Sequence, residues 1–255
     1  MSPVHELTGV RPRSILCIDI GGSKCKLLCT GQTEARRVLT GRTFTPAKLV
    51  ESVKELTTDW AFDVISIGYP GLVGGSGPLS EPGNLGPGWV GFDFAAAFGC
   101  PVRMMNDAAM QALGSYEGGR MLFIGLGTGV GSTLILDNTI IALELGDLPY
   151  GAKTRVTDML SRRALDRIGK KKWRAAIHRL VNQFTKAFVV DYIVLGGGNA
   201  RKLRVLPPGV RMGHNLTAFR GGFRLWNVDD IKTMGGEEKP DAVPMPTPNV
   251  DWRLV

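Results

Sequence analysis

The chain has 255 residues, 44% of them hydrophobic, and a formal net charge of +8. That apolar share excludes an intrinsically disordered chain and allows one large or two medium domains. No apolar run reaches the ~18 residues of a membrane span, Met1 to Thr8 form no apolar signal region, and the four cysteines (Cys17, Cys25, Cys29, Cys100) follow no disulfide pattern, so a reducing, cytoplasmic setting is expected.

In chain order, residues 14–30 read as a hairpin. An apolar strand, Ile15 to Ile20, carries Asp19 near its end, Gly21-Gly22-Ser23 make the turn, and an alternating strand leaves with Lys24 and Lys26. Glycine turns expose several N–H groups together, which suits phosphate oxygens. An Asp beside such a turn is placed to hold Mg²⁺ through water, and a hydroxyl and a Lys to contact phosphates. An ordinary first hairpin with solvated lysines fits the same residues. A strand is expected near 36–40, a helix from Pro46 to Trp60 and a strand from Val64 to Gly68. The Gly- and Pro-rich stretch 71–91 reads as a long loop, of the kind that is often functional. Within it, Gly86 to Gly91 matches G-x-G-x-x-G, but it follows no strand and contains Pro87, so a Rossmann reading is rejected.

Residues 100–117 read as a strand running into a helix with Asn106-Asp107 at the junction. Asp107 fits two roles there: a helix N-cap, or a general base facing a phosphate site. Residues 121–143 form a second hairpin, with Gly125, Gly127, Gly129 and Gly131 at alternate positions. Four glycines in alternation suggest a backbone that a ligand approaches closely, although a glycine-rich hairpin without a ligand would look alike. Residues 152–188 read as helical, as two helices joined near Gly169, with Trp173, Ile177, Leu180, Val181 and Phe184 at core spacing. A strand over 189–195 ends in Gly196-Gly197-Gly198-Asn199, and a helix is expected to follow. Asn215 to Thr217 fits a glycosylation acceptor pattern that has no meaning without secretion, and residues 234–255 suggest an irregular tail. Alternating hairpins and helices imply an α/β protein with two lobes about a cleft and a boundary near residue 105. No internal repeat is evident.

The charge is unevenly spread. Between Lys153 and Lys186 there are eleven basic residues and two acids, Asp158 and Asp166, so the rest of the chain is close to neutral. A solvated helix face would explain this, and so would a track for a polyanion. No aromatic–basic interleaving or nucleic-acid module supports nucleic acid as that polyanion.

The order Asp19-Ile-Gly-Gly-Ser-Lys24, Asn106-Asp107-Ala108, Gly125 to Gly131 and Leu195 to Gly198 resembles the ROK family of sugar kinases. The family lies in the actin-like and hexokinase superfamily, and the likeness is nearest to its polyphosphate/ATP glucokinase branch. Ile67 to Gly71, Asn84 to Trp89 and Glu144 to Gly146 also match, and the likeness runs from about residue 14 to about 226, where Leu216 to Trp226 resembles the family's closing helix.

The resemblance implies an α/β, two-lobed, actin-like ATPase (ribonuclease H-like) fold with a central cleft. The lobes would span 1–105 and 106–226, with the last helix able to return to the first lobe and an irregular tail over 227–255. It also implies a sugar kinase with Mg²⁺ and ATP or inorganic polyphosphate as co-substrate, assembled as a homodimer. Asp107 would deprotonate a sugar hydroxyl, and Asn84, Asn106, Glu144 and Asp147 would line the sugar. Asp19 would assist the metal through water, and Gly21, Gly22, Ser23 and Lys24 would form the first phosphate loop. Gly127, Thr128 and Gly129 would form the second, and Gly197, Gly198 and Asn199 would border a nucleotide.

Two departures stand out. Where the family's Glu-x-Gly is followed by His, this chain has Asp147, an acceptor-only group when ionised, which puts the sugar in question. The family's zinc-binding cysteine cluster is missing, which fits the polyphosphate branch, and no zinc is expected. Three readings follow: a hexose kinase, with glucose the expected acceptor; a non-catalytic sugar or nucleotide sensor on the same scaffold; and, least favoured, a nucleic-acid binder using the 153–186 face.

Overall fold

The computed structural model describes residues 14–214, 216–226 and 252–254. The first sheet opens with an antiparallel meander, β1 (Ile15–Ile20), β2 (Lys24–Cys29) and β3 (Arg36–Leu39). Helix α1 (Pro46–Leu56) follows, its first turn capped by Thr45 and opened by a proline whose missing N–H costs nothing there. Strand β4 (Val64–Tyr69) runs parallel to β1. The stretch expected to be a plain loop holds a ribbon, β5 (Val73–Gly74) with β6 (Gly77–Pro78), and a short helix follows, α2 (Phe94–Phe98), set between an Asp93 cap and left-handed Gly99. Strand β7 (Val102–Asn106) completes the order β3-β2-β1-β4-β7. Every residue of β1 and β4 is buried, as central strands covered on both faces must be.

Helix α3 (Asp107–Ser115) leads into the second sheet. Strands β8 (Met121–Leu126), β9 (Val130–Leu136) and β10 (Thr139–Leu143) repeat the antiparallel meander. Its second turn, Asp137-Asn138, has positive φ at both positions, the backbone that a tight hairpin requires. A ribbon follows, β11 (Pro149–Gly151) with β12 (Thr154–Arg155), then α4 (Thr157–Leu160) and α5 (Arg162–Phe188). The expected helical stretch 152–188 is therefore ribbon at its start. The expected join at Gly169 is present: its φ of 79° and ψ of 160° break the helical path inside α5. Strands β13 (Tyr192–Gly196) and β14 (Val210–Met212) add parallel to β8. The order is β14-β13-β8-β9-β10, extended by β15 (Arg253–Leu254). Three antiparallel strands followed by two parallel ones on the other side of the first strand is the plan of both sheets.

Helix α6 (Thr217–Arg224) follows β14 in the chain yet packs on β1, β4 and α3. It crosses α3 at backbone contact. A Cβ added at Gly114 would lie 1.8 Å from the Thr217 carbonyl oxygen, and one at Gly221 would lie 1.8 Å from that of Met110. Side chains pin α6 in place. Ser66 Oγ donates to the Gly222 carbonyl (2.6 Å) and accepts from Trp226 Nε1 (2.9 Å). Buried Arg224 donates to the carbonyls of Leu113 and Tyr116, at the C-terminal end of α3.

Three further corrections apply to the sequence expectations. The first helix stops at Leu56, where Thr57 turns its hydroxyl back onto the Val53 carbonyl. The glycines after β13 lead into a single 3₁₀ turn, Ala200–Lys202, rather than a helix. The end of the chain is not irregular throughout: β15 pairs with β10, and Trp252 is buried edge-on to Tyr116. Residues 227–251 and Asn215 of the glycosylation pattern lie outside the described residues.

Candidate active site

The first glycine turn closes β1 onto β2 with a hydrogen bond from the Gly21 N–H to the Lys24 carbonyl (3.1 Å). A Cβ at Gly21 would sit 3.0 Å from that oxygen, a tight contact that favours glycine. Thr40, just beyond β3, clamps the turn from outside: its hydroxyl donates to the Gly21 carbonyl at 2.6 Å and its N–H to that of Ser23. Ser23 and Lys24 are exposed. Asp19 and Lys26 face each other in register across the pair, and Lys26 Nζ lies 2.9 Å from Asp19 Oδ2. Asn84 lies against the turn, its Cβ 3.3 Å from where a Gly22 Cβ would be. The loop that carries Asn84 is stiffened by buried Trp89, whose indole donates to the Gly86 carbonyl, and by Glu81, which accepts from the Trp89 and Val90 N–H groups.

The second turn joins β8 to β9. Gly125 and Gly131 pair within the strands, so the turn itself is residues 127–129, closed by the Gly127 N–H on the Gly129 carbonyl (3.1 Å). Two distant segments meet it. The first residue of α5, Arg162, donates its N–H to the Gly127 carbonyl at 2.9 Å. Buried Asn199 donates its backbone N–H to the Leu126 carbonyl (3.1 Å) and Nδ2 to that of Gly127 (3.3 Å). Gly197 reaches the same place with φ 78°, where a Cβ would lie 2.7 Å from the Leu126 oxygen. Thr128 and Gly129 remain exposed. The two glycine motifs, 70 residues apart by the numbering of Gly127 and Gly197, are thus one unit.

Between the turns stands the N-terminus of α3. The cap is Asn106, whose Oδ1 accepts from the N–H groups of Ala108 (2.9 Å) and Ala109 (3.2 Å) while Nδ2 donates to the Gly71 carbonyl (3.1 Å). That decides the ambiguity at this junction: Asn106 caps, and Asp107 is the first helical residue. It also leaves Asn106 only its second Nδ2 hydrogen for a ligand. Asp107 Oδ1 shares the Ala108 N–H at 2.8 Å. Its carboxyl is pushed up to about 7, chiefly by burial and then by the Asp19 carboxylate, with a smaller push from Glu144; the Ala108 N–H acts the other way. Desolvation outweighs the favourable helix end here. The start of β9 packs against the first turn of α3, since a Cβ at Gly131 would lie 2.6 Å from the Ala108 Cβ.

Glu144 and Asp147 flank one 3₁₀ turn, Leu145–Asp147, where the Asp147 N–H donates to the Glu144 carbonyl at 3.1 Å. Buried Ser132 holds the turn on β9, accepting from the Leu145 N–H (3.0 Å) and donating to the Leu143 carbonyl (2.7 Å). The Glu144 carboxyl is raised, first by burial and then by the Asp147 charge. Asp147 itself is exposed and paired with Arg155 Nη1 at 3.0 Å.

Sequence reasoning missed Lys26 as the partner of Asp19, Thr40 and Ser132 as clamps, and Arg155. Only Lys26 carried a local signal, seven residues after Asp19 in an alternating strand.

Two sheets of one plan, each beginning with a hairpin that ends in a glycine turn, and a buried carboxylate at the helix between them, define the actin-like ATPase fold. A family model described as the ROK family matches residues 15–146, more than half of the chain. The chain belongs to the ROK family. It is 28% identical over 211 residues to the polyphosphate glucokinase of Mycobacterium tuberculosis, covering 72% of this chain and 77% of that protein. It superposes on the inorganic polyphosphate/ATP-glucomannokinase of Arthrobacter sp. strain KM with a TM-score of 0.67, at 24% identity, over 84% of this chain and 96% of that one. For the ROK hexokinase of Thermus thermophilus the TM-score is 0.61 at 20% identity, over 84% and 97% of the two chains. These relatives and structural neighbours are sugar kinases. Among the described residues no helix is long and apolar enough to cross a membrane.

Proposed function

We propose that this protein is a sugar kinase that moves a phosphoryl group from polyphosphate or ATP to a hexose hydroxyl, glucose being the expected acceptor, with Asp107 as the general base. The observation that carries this reading is Asp107 itself. It shares one helix N–H with the cap Asn106, stands between two glycine turns, and has a carboxyl pushed up to about 7, where it can accept a hydroxyl proton at neutral pH. A sensor would have no need of such a base.

The remaining roles follow from position. Gly21, Gly22, Ser23 and Lys24 cradle one end of the donor phosphates, and the backbone N–H groups of Gly127, Thr128 and Gly129 cradle the other. Gly197, Gly198 and Asn199 lie behind the second turn, where a nucleotide donor would extend. Asn84, Glu144 and Asp147 line the acceptor side, with Asn106 contributing its one spare hydrogen. Asp19 is suited to Mg²⁺: one carboxylate oxygen is held by Lys26, the other makes no hydrogen bond among the described residues, and hard oxygen donors match that ion. When bound, the metal would supply neutralising charge to the transferred group. Asp107 takes the hydroxyl proton, and closure of the lobes excludes water as a competing acceptor.

The basic face supports a polyanionic donor. Helix α5 starts on the Gly127 carbonyl, and Arg163, Lys170, Lys171, Lys172 and Lys186 along it are exposed, with no ion pair among the described residues. A long phosphate chain leaving the second turn would meet these cations.

The test is a phosphoryl-transfer assay crossing ATP and polyphosphate with glucose, mannose, fructose, glucosamine and N-acetylglucosamine, with Asp107→Ala as control. Label on a sugar that disappears in the variant is expected. Undiminished transfer by Asp107→Ala would remove Asp107 as the base.

A further inference from the structure

Four carboxylates follow one another electrostatically from β1 through the start of α3 to the 3₁₀ turn at Leu145–Asp147. Asp19 and Glu144 both raise Asp107, and Asp147 raises Glu144. A cation stands at each end of the series, Lys26 on Asp19 and Arg155 on Asp147. Lys26 serves the donor side. Arg155 has no role in phosphoryl transfer as described above.

Several contacts bring Arg155 to its position. The β11–β12 ribbon folds back so that the Val156 N–H donates to the Leu148 carbonyl at 2.9 Å. The Arg155 N–H donates to Asp158 Oδ2 at 2.8 Å, fixing the backbone from which the guanidinium reaches Asp147. Only one of its five N–H donors is used in the hydrogen bonds described. The ion pair is exposed on both sides, so its contribution to stability is small. Its effect on the mouth of the acceptor site is larger in kind. Without Arg155, Glu144 and Asp147 present two adjacent negative charges. With it, they present one carboxylate, one neutralised carboxylate and a set of free N–H donors.

We infer that Arg155 is a specificity-determining residue of the acceptor site: by neutralising Asp147 it suits the site to uncharged, hydroxyl-bearing sugars and against sugars that carry an ammonium group. The inference rests on the acceptor placement proposed above. A cationic amino sugar gains from two uncompensated carboxylates and loses when a guanidinium already occupies one of them. A neutral sugar gains the guanidinium's spare donors, because hydroxyl oxygens accept hydrogen bonds as well as donate them.

The test is calorimetric binding of glucose and of glucosamine, below the pKa of the glucosamine amine, to the wild type, Arg155→Gln, Asp147→Asn and the double variant, all in the absence of donor. Thermal unfolding of each confirms the fold, which an exposed pair leaves in place. Wild type is expected to prefer glucose. Arg155→Gln should shift the affinity ratio toward glucosamine by about fivefold, the effect of one surface charge pair. Asp147→Asn, which leaves Arg155 unpaired, should shift it the other way, and the double variant should return it toward wild type. Added salt should shrink all three shifts. A ratio unmoved in Arg155→Gln overturns the proposal, as does a wild type that binds neither sugar. Phosphoryl transfer measured on the same preparations separates this outcome from the kinase reading: a wild type that binds glucose without transferring label sinks the kinase and leaves the role of Arg155 standing.

Discussion

The two lobes share a strand plan but support their glycine turns in different ways. The first turn is chemical. Asp19 and Lys26 face each other beside it, Ser23 and Lys24 project from it, and a single threonine, Thr40, clamps its backbone. The second turn holds no ionisable side chain: residues 127–129 are Gly-Thr-Gly, supported by Asn199 and by the first N–H of α5. The same meander thus yields a charged site in one lobe and a backbone cradle in the other. The β1–β2 turn has the lighter outside support, from Thr40, and in the function proposed here its side chains contact the donor. The β8–β9 turn, for which we propose binding through N–H direction, is held by segments from 35 and 72 residues away in the numbering of Arg162 and Asn199 relative to Gly127. Asp107 belongs to neither turn and depends on both lobes.

The largest effect is expected where the lobes meet. Asp107→Asn should lower turnover by roughly 10²- to 10⁴-fold, the usual contribution of a general base, while donor affinity changes little. It should also change the pH dependence of stability. A carboxyl whose pKa rises from its ordinary value to about 7 on folding binds more protons in the native state between those values. Stability contributed by this group therefore falls as pH rises from about 4 to about 7. The melting temperature of Asp107→Asn relative to wild type should climb across that window and level off above it. A constant difference across the window would show that the carboxyl titrates normally.

A smaller effect is expected at the helix crossing that joins the lobes. Gly221→Ala drives a Cβ onto the Met110 carbonyl, and backbone cannot move aside as a side chain can. Overpacking costs about 1–3 kcal/mol, so the denaturant midpoint should drop clearly. An unchanged midpoint would mean that α3 and α6 separate without penalty.

The smallest effects sharpen the contrast between the turns. Asn199→Ala removes one hydrogen bond to the second turn and Thr40→Val removes one from the first, each about 1 kcal/mol. If the second turn binds by backbone direction alone, Asn199→Ala should raise the donor KM about fivefold, and Thr40→Val should raise it less because Asp19 and Lys24 still act. Equal effects would erase the distinction.

Much of this arrangement is written locally. The strands around Asp19 and Gly127 announce themselves by alternation and by glycine at the turns, because pleat and turn chemistry depend on near neighbours. The repeat of the two sheets is not legible, since the lobes share a pleat and a strand order but not residues. Nor is the contact between Asn199 and Gly127, which exists only because β13 pairs with β8. The choice of Asn106 over Asp107 as the cap also lay beyond the sequence, for either side chain can cap a helix. The Gly71 carbonyl orients Asn106 by accepting from its amide, so the Asn106 oxygen takes both N–H groups while Asp107 shares only that of Ala108.

The chain by itself therefore determined most of the long elements, the two glycine turns, the Asp at the helix junction and the family likeness. All of these rest on short-range rules of burial period, turn geometry and residue chemistry. Tertiary structure alone decided the backbone contact between α6 and α3, the charge environment that raises Asp107, and the Arg155 guanidinium on Asp147. Those outcomes depend on which distant groups end up within a few ångströms of each other, and desolvation and Coulomb energies exist only once that distance is set.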